Sequence, residues 1–192
     1  SSCVTALHAD NVAFLSGRNI LELHQLLFEI QYRFPKNPAA RAALDIALYD
    51  AFTQHLGIPL VTFLGRKHEA LPTSVTIGIK GVSETLQEAT EFVQQGFSIL
   101  KIKLGKNLEE DVERLRKVRE KYNNVVIRVD ANQGYTSEET IIFYKETKHL
   151  NIELIEQPVV AAATHMLRTL PQEIRMRVVA DESLLTLNDA MA

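Results

Sequence analysis

The sequence lacks the features that mark secreted, membrane-spanning and nucleic-acid-binding proteins. Cys3 is its only cysteine, which excludes an internal disulfide and suits a reducing compartment such as the cytoplasm. No hydrophobic run approaches the length of a membrane span, and the first residues lack the basic and then apolar order of a signal peptide. The net charge of −3 gives no reason to expect nucleic acid as a partner.

What remains is the composition of an ordinary folded protein. The 192 residues are 46% hydrophobic and 23% charged, which is enough for one large domain or for a domain and a piece of another. The chain opens without a methionine, residues 1–10 show no clear element, and residues 188–192 resemble the first turn of a helix. We therefore expect a piece of a longer protein.

The first third of the chain is predicted to be helical. In residues 19–34, apolar side chains recur at steps of three and four, which is the spacing of one helix face. Residues 39–52 are rich in alanine and other good helix formers. Asn37 is placed to cap this second helix, Pro38 suits its first turn, and Gly57 suits its end.

From residue 73 onwards, strand-like and helix-like segments alternate. The predicted strands are residues 73–79, 99–104, 125–129, 152–155 and 178–180, with starts about 25 residues apart, as in repeated βα units. The predicted helix starts are Ser83, Asn107 with Glu110, Thr136 with Glu139, residue 161 (with a break at Pro171) and Thr186. Nearly continuous apolar strands indicate a parallel sheet buried on both sides. This pattern predicts an α/β fold, either a (β/α) barrel through its fifth strand or a doubly wound sheet.

The second predicted strand carries two lysines, Lys101 and Lys103, one residue apart. Residues i and i+2 of a strand point to the same face, so the two ammonium groups are expected to be neighbours. Like charges and burial both disfavour the charged form, so we expect lowered lysine pKa values and a base for proton transfer. The alternative is that both side chains extend from an edge strand into water.

Polar side chains follow each of the next three strands at the point where the strand ends. They are Asp130 and Asn132, then Glu156 and Gln157, then Asp181 and Glu182. The carboxyl ends of parallel strands are where α/β folds place their sites. Three neighbouring carboxylates would repel one another unless a cation bound them, and oxygen ligands select Mg²⁺ or Mn²⁺. The alternative is that each acid caps the helix that follows it.

Four motifs together resemble the enolase superfamily. They are Lys-Ile-Lys at residues 101–103, Arg-Val-Asp-Ala-Asn-Gln-Gly-Tyr at 128–135, Ile-Glu-Gln-Pro at 155–158 and Ala-Asp-Glu-Ser at 180–183. The resemblance is to the muconate-lactonizing subgroup and most of all to its dipeptide epimerases of the L-Ala-D/L-Glu type. It implies that residues 1–70 are the helical part of an N-terminal capping domain. Residues 71–192 would be the first half, with five strands, of a TIM-like (β/α) barrel.

The resemblance also implies a role for each polar residue. Lys103 would be an acid/base catalyst that contacts substrate, and Lys101 would contact substrate and tune its neighbour. The other implied roles are metal ligands for Asp130, Glu156 and Asp181, a substrate contact for Thr76, and orientation of the ligands by Asn132, Gln157 and Glu182. The expected cofactor is Mg²⁺, with Mn²⁺ as the alternative.

The implied function is epimerisation of dipeptides by removal of an α-proton and passage through an enediolate. Alternatives are o-succinylbenzoate synthase, muconate cycloisomerase, N-acylamino acid racemase, or a non-catalytic piece of such an enzyme. We expect a small carboxylate substrate, a cytoplasmic homo-oligomer, and neither nucleic acid nor membrane as a partner. The family's second catalytic lysine, on a sixth strand, is not in residues 1–192, so we expect this piece alone to be inactive.

Overall fold

The computed structural model describes residues 2–191 and divides into two compact units. The first unit is Ser1–Leu71 and the second is Pro72–Ala192. Within the described residues, no helix is both long and apolar enough to cross a membrane. That the first unit belongs to a capping domain stays a prediction.

The first unit is helical. Its helices are α1 (Ser2–Ala6), α2 (Ala9–Val12), α3 (Leu23–Arg33), α4 (Pro38–Leu56) and α5 (Leu60–Phe63), with 3₁₀ turns at Ala13–Leu15 and Ile20–Glu22. The expectation that residues 1–10 carry no element is wrong for residues 2–10, because α1 and α2 occupy most of that stretch. Residue 1 lies outside the described part of the chain.

The ends of α4 follow the sequence signals. The side chain of Asn37 accepts a hydrogen bond from the N–H of Ala40 at 3.1 Å, and Gly57 ends the helix in the left-handed conformation with φ of 67°. Both predictions are confirmed. A small core forms around Ile30, Phe34 and Ala40.

The second unit is a five-stranded parallel sheet with helices between its strands. The strands are β1 (Val75–Ile77), β2 (Ile99–Lys103), β3 (Val126–Asp130), β4 (Ile152–Glu156) and β5 (Val178–Val179), hydrogen-bonded in that order. The helices are α6 (Val82–Gln94), α7 (Leu108–Lys121), α8 (Ser137–Thr147), α9 (Gln172–Arg175) and α10 (Leu187–Met191), with 3₁₀ segments at Lys148–Leu150 and Ala161–Thr169. Each strand pairs with the next along the chain, which is the order of the first half of a β/α barrel and confirms the predicted fold class.

The helix starts match the sequence signals in part. Thr136 and Glu139 form both bonds of the capping box, whereas Asn107 and Glu110 form only the bond from the Glu110 N–H to Asn107. The prediction that Ser83 caps its helix is wrong. The cap is Gly81, because the Glu84 carboxylate accepts the Gly81 N–H at 3.3 Å and so leaves Ser83 inside the first turn.

The two faces of the central strands differ in character. Leu100, Ile102, Ile127 and Val129 are fully buried in the core that the sheet shares with its helices. The alternate positions of β2 carry Lys101 and Lys103. The period of two therefore directs the lysines to the face opposite the apolar core.

Candidate active site

The sheet register places the candidate residues side by side. Lys103 pairs with Asp130, and Asp130 pairs with Glu156, so the three form one row across the ends of β2, β3 and β4. Lys101 pairs with Thr76, so that pair forms the adjacent row. Residues paired in register point to the same face of a parallel sheet. The predicted row of polar groups at the carboxyl ends of the strands is therefore present.

The ammonium groups and carboxylates of these rows form one cluster. Lys101 Nζ lies 2.8 Å and 2.7 Å from the two carboxylate oxygens of Glu156, and 3.1 Å from Asp130 Oδ2. Lys103 Nζ lies 3.3 Å from the same Asp130 oxygen and 3.3 Å from Asn132 Oδ1. Asp130, at 2% exposure, is thus a buried carboxylate between two cations.

This cluster decides between the alternatives left open by the sequence. The two lysines do not extend separately into water, because both ammonium groups contact Asp130. The acids do not cap the helices that follow them either. Thr136 caps the helix after β3, and the Thr186 hydroxyl accepts the Asp189 N–H at the start of the helix after β5.

The pKa of Lys101 shifts in the direction opposite to the one expected from the sequence. Partial burial disfavours the charged form of Lys101, but hydrogen bonds to Glu156 and Asp130 outweigh it and raise the pKa of Lys101. The predicted lowering is therefore wrong for this residue, since two carboxylates face it as well as one lysine. Burial also disfavours the Asp130 carboxylate, yet Lys101, the Asn132 N–H and Lys103 together lower the pKa of Asp130.

Asn132 holds the loop that follows β3. Its backbone is left-handed, with φ of 46°, and its N–H donates to Asp130 Oδ1 at 3.0 Å. Its side-chain oxygen accepts from Lys103. One residue therefore contacts both the candidate base and a candidate metal ligand, and its orienting role stays a prediction.

Gln157 holds the loop that follows β5. Its side chain is completely buried, and Oε1 accepts the N–H groups of Asp181 at 2.9 Å and Ser183 at 3.1 Å. Its amide nitrogen donates to the carbonyl of Val159 at 2.8 Å and to Ser183 Oγ at 2.6 Å. Gln157 thus fixes the backbone of Asp181 from the neighbouring strand end.

The remaining two acids stand apart from the cluster. The Asp181 side chain is exposed. Glu182 lines a cleft of about 350 Å³ with His165 and Arg168, and one of its carboxylate oxygens is buried without a partner in the described structure. Within residues 2–191, no group of three acidic, histidine or cysteine side chains is arranged so that it could hold a metal ion. The structure therefore brings Asp130 and Glu156 together, but not Asp181 or Glu182.

The chemistry of the paired carboxylates nevertheless suits a divalent cation. Asp130 and Glu156 converge on one cationic centre, which in this structure is the Lys101 ammonium. Both supply hard oxygen donors of the kind that Mg²⁺ and Mn²⁺ take. That Asp181, two residues beyond β5, is a third ligand stays a prediction.

Three further residues near the site were not singled out from the sequence: Asp111, Arg114 and Tyr135. All three are buried, with exposures of 0%, 1% and 5%. A signal was present, because positions 111, 112, 115 and 118 recur at the spacing of one helix face. Two charged residues on or beside an apolar stripe are unusual unless they are paired.

The comparisons with known proteins agree with this fold. The family model described as "Enolase C-terminal domain-like" matches residues 84–192, which is more than half of the chain. The chain therefore belongs to the enolase C-terminal domain-like family.

Particular relatives are epimerases. The chain is 50% identical to the L-Lys-D/L-Arg epimerase of Methylococcus capsulatus over 100% of its own length and 54% of that protein. It is 34% identical to the L-Ala-D/L-Glu epimerase of Bacillus subtilis, over 96% of its own length and 52% of that protein. The crystal structure of the Methylococcus capsulatus dipeptide epimerase with Mg and the dipeptide L-Arg-D-Lys superposes with a TM-score of 0.93, at 50% identity, over 99% of this chain and 54% of that one. The chain thus spans about half the length of these relatives.

Proposed function

We propose that the whole protein is a Mg²⁺-dependent epimerase of dipeptides that acts by removing the proton from an α-carbon. The observation that carries the proposal is the row formed by Lys103, Asp130 and Glu156. In this row the candidate base lies beside Asp130, which pairs in turn with Glu156, at the strand ends where α/β enzymes act.

The proposed chemistry needs a base and a means of stabilising negative charge. A proton α to a carboxylate is only weakly acidic, so its removal requires both. Bound Mg²⁺, held by Asp130, Glu156 and Asp181, would stabilise the charge that develops, as in enolase-superfamily sites generally. Lys103 in its neutral form accepts the proton from one face of the α-carbon, and inversion requires delivery of a proton to the opposite face, which the family's second lysine is expected to provide. In the reverse direction, protonated Lys103 returns a proton to its own face.

The neighbours of Lys103 would stabilise its protonated form. Asp130 and Asn132 contact Nζ from the β3 side, so the ammonium that forms after proton removal is held by a carboxylate and an amide oxygen. Lys101, in the adjacent row, supplies a second positive charge for the substrate carboxylate. Thr76 shares that row and is our candidate for a further substrate contact.

Two dipeptide classes are candidates for the substrate. The motif resemblance implies L-Ala-L-Glu. The similarity to the L-Lys-D/L-Arg epimerase, at 50% identity, favours a dipeptide with cationic side chains. Assaying the whole protein on L-Ala-L-Glu and on L-Lys-L-Arg with Mg²⁺ separates the two. Activity on neither dipeptide, nor on other dipeptides in a panel, would refute the epimerase proposal.

The role of Lys103 is tested by isotope exchange in the whole protein. Lys103→Ala should abolish incorporation of deuterium from D₂O into one stereoisomer. It should leave exchange on the other isomer, which the family's second lysine is expected to serve. Binding of Mg²⁺, measured by calorimetry, should persist in this variant but weaken sharply in Asp181→Asn. Wild-type exchange on both isomers in Lys103→Ala would rule out the role.

A further inference from the structure

Asp111, Arg114 and Tyr135 form a buried polar network directly behind the end of β2. The guanidinium of Arg114 is ion-paired with Asp111 Oδ1. The Tyr135 hydroxyl donates to Asp111 Oδ2 at 2.6 Å. Burial, followed by the contact with Asp111, raises the pKa of Tyr135, so its hydroxyl remains a donor. These three residues form what we call the Asp111 network.

The Asp111 network hydrogen-bonds to the backbone on both sides of Leu104. Arg114 Nη1 donates to the carbonyl of Lys103 at 3.2 Å, and the N–H of Gly105 donates to Asp111 Oδ2 at 2.8 Å. Between them, the Leu104 N–H donates to the carbonyl of Asp130 at 2.8 Å. Two consecutive peptide groups at the end of β2, those joining residues 103–104 and 104–105, are therefore held by partners outside that strand.

Tyr135 connects the Asp111 network to the segments that follow the next two strands, β3 and β4. It ends the loop after β3 that contains Asn132, and its own N–H donates to the carbonyl of Pro158, after β4, at 2.9 Å. The network therefore links the peptide group of Lys103 to the loop whose Asn132 contacts Lys103 Nζ. A shift of either segment would alter the distance between Nζ and its two partners.

We propose that the Asp111 network positions Lys103 for proton transfer, acting through the backbone rather than by contact with substrate. This inference rests on the proposed function, because it assumes that Lys103 is the base on one face. The competing explanation is that the network only stabilises the unit. The two explanations differ in what they predict for the two stereoisomers.

The experiment compares Tyr135→Phe with Tyr122→Phe in the whole protein. Each variant loses one hydroxyl that donates a hydrogen bond. The Tyr122 hydroxyl, however, donates to Thr90 Oγ1 at 2.8 Å, joining α7 to α6. Exchange of the α-proton with D₂O is measured separately on the two stereoisomers, together with KM, Mg²⁺ affinity and thermal unfolding.

For Tyr135→Phe, we expect exchange on the isomer served by Lys103 to fall about tenfold to a hundredfold, since small misplacements of catalytic groups have effects of that size. Exchange on the other isomer, KM and Mg²⁺ affinity should stay within about twofold of wild type. Tyr122→Phe should match wild type on both isomers.

The outcomes separate this inference from the proposed function. Absence of exchange in the wild-type protein would overturn both. With an active wild type, unchanged exchange in Tyr135→Phe would overturn the positioning role alone. An equal loss on both isomers would also overturn it, because it would show a general structural effect.

Discussion

The two sides of the candidate site are held in different ways. On the β2–β3 side, a buried ion pair and a tyrosine hydroxyl hold the end of the lysine strand, and Gly105 lies against the backbone of Ala131. On the β4–β5 side, uncharged side chains hold the loop that carries Asp181: Gln157 accepts two of its N–H groups, and Thr164 donates to Ser183. Both sides belong to the same edge of the same sheet.

This difference indicates which side tolerates change. Buried charges are costly to separate from their partners, so breaking the Asp111–Arg114 ion pair on the β2–β3 side should cost much folding stability. A buried amide that binds backbone groups is less costly to lose, so the β4–β5 side should respond chiefly through the placement of Asp181. The following substitutions test that contrast.

The largest effect is expected from Asp111→Ala, which leaves the Arg114 guanidinium buried without its carboxylate. Loss of one partner from a buried pair costs about 3–5 kcal/mol of unfolding free energy. The control is Glu113→Ala on the same helix, which removes partly exposed pairs with Arg116 and Lys117 and should cost less than about 1 kcal/mol. Urea unfolding of the whole protein measures both. Similarly small losses of unfolding free energy in the two variants would show that the Asp111–Arg114 pair is not the main stabilising contact on this side.

A smaller effect is expected from Gly105→Ala, compared with Gly96→Ala. Both glycines have left-handed backbones, with φ of 103° and 94°, so alanine costs about 1–2 kcal/mol at either position. At Gly105 the added Cβ would also overlap the carbonyl of Ala131, whereas at Gly96 it would meet open space. Overpacking should add about 1–3 kcal/mol at Gly105. Equal unfolding free energies for the two variants would contradict the close approach.

The smallest loss of stability is expected from Gln157→Leu, which leaves the N–H groups of Asp181 and Ser183 without their acceptor. We expect a loss of about 1–3 kcal/mol. If Asp181 is a ligand, Mg²⁺ affinity should fall about tenfold to a hundredfold, as happens when residues that orient ligands are removed. Gln87→Leu, at an exposed position of α6, is the control and should leave Mg²⁺ affinity unchanged. Wild-type affinity in Gln157→Leu, measured by calorimetry, would show that Asp181 does not depend on this amide.

Much of the fold could be predicted from the sequence because its signals are local. The apolar strands at regular spacing, the caps at Asn37 and Thr136, and the left-handed turn at Gly57 each depend on a few neighbouring residues. The polar residues at the ends of β2, β3 and β4 were also predictable, since a strand's end is marked by its own sequence. The Ser83 cap was wrong because the helix already begins at Val82, after Gly81, whose N–H donates to the Glu84 carboxylate.

By itself, then, the sequence determined the order of strands and helices, the shared face of Lys101 and Lys103, and the strand ends that carry acids. Only the tertiary structure decided how these parts meet. The register placed Lys103 beside Asp130 and Glu156, and the two carboxylates then reversed the expected direction of the Lys101 pKa. Tertiary packing likewise paired Asp111 with Arg114 behind β2. Register, burial and charge pairing depend on residues distant in the chain, and no local pattern specifies them.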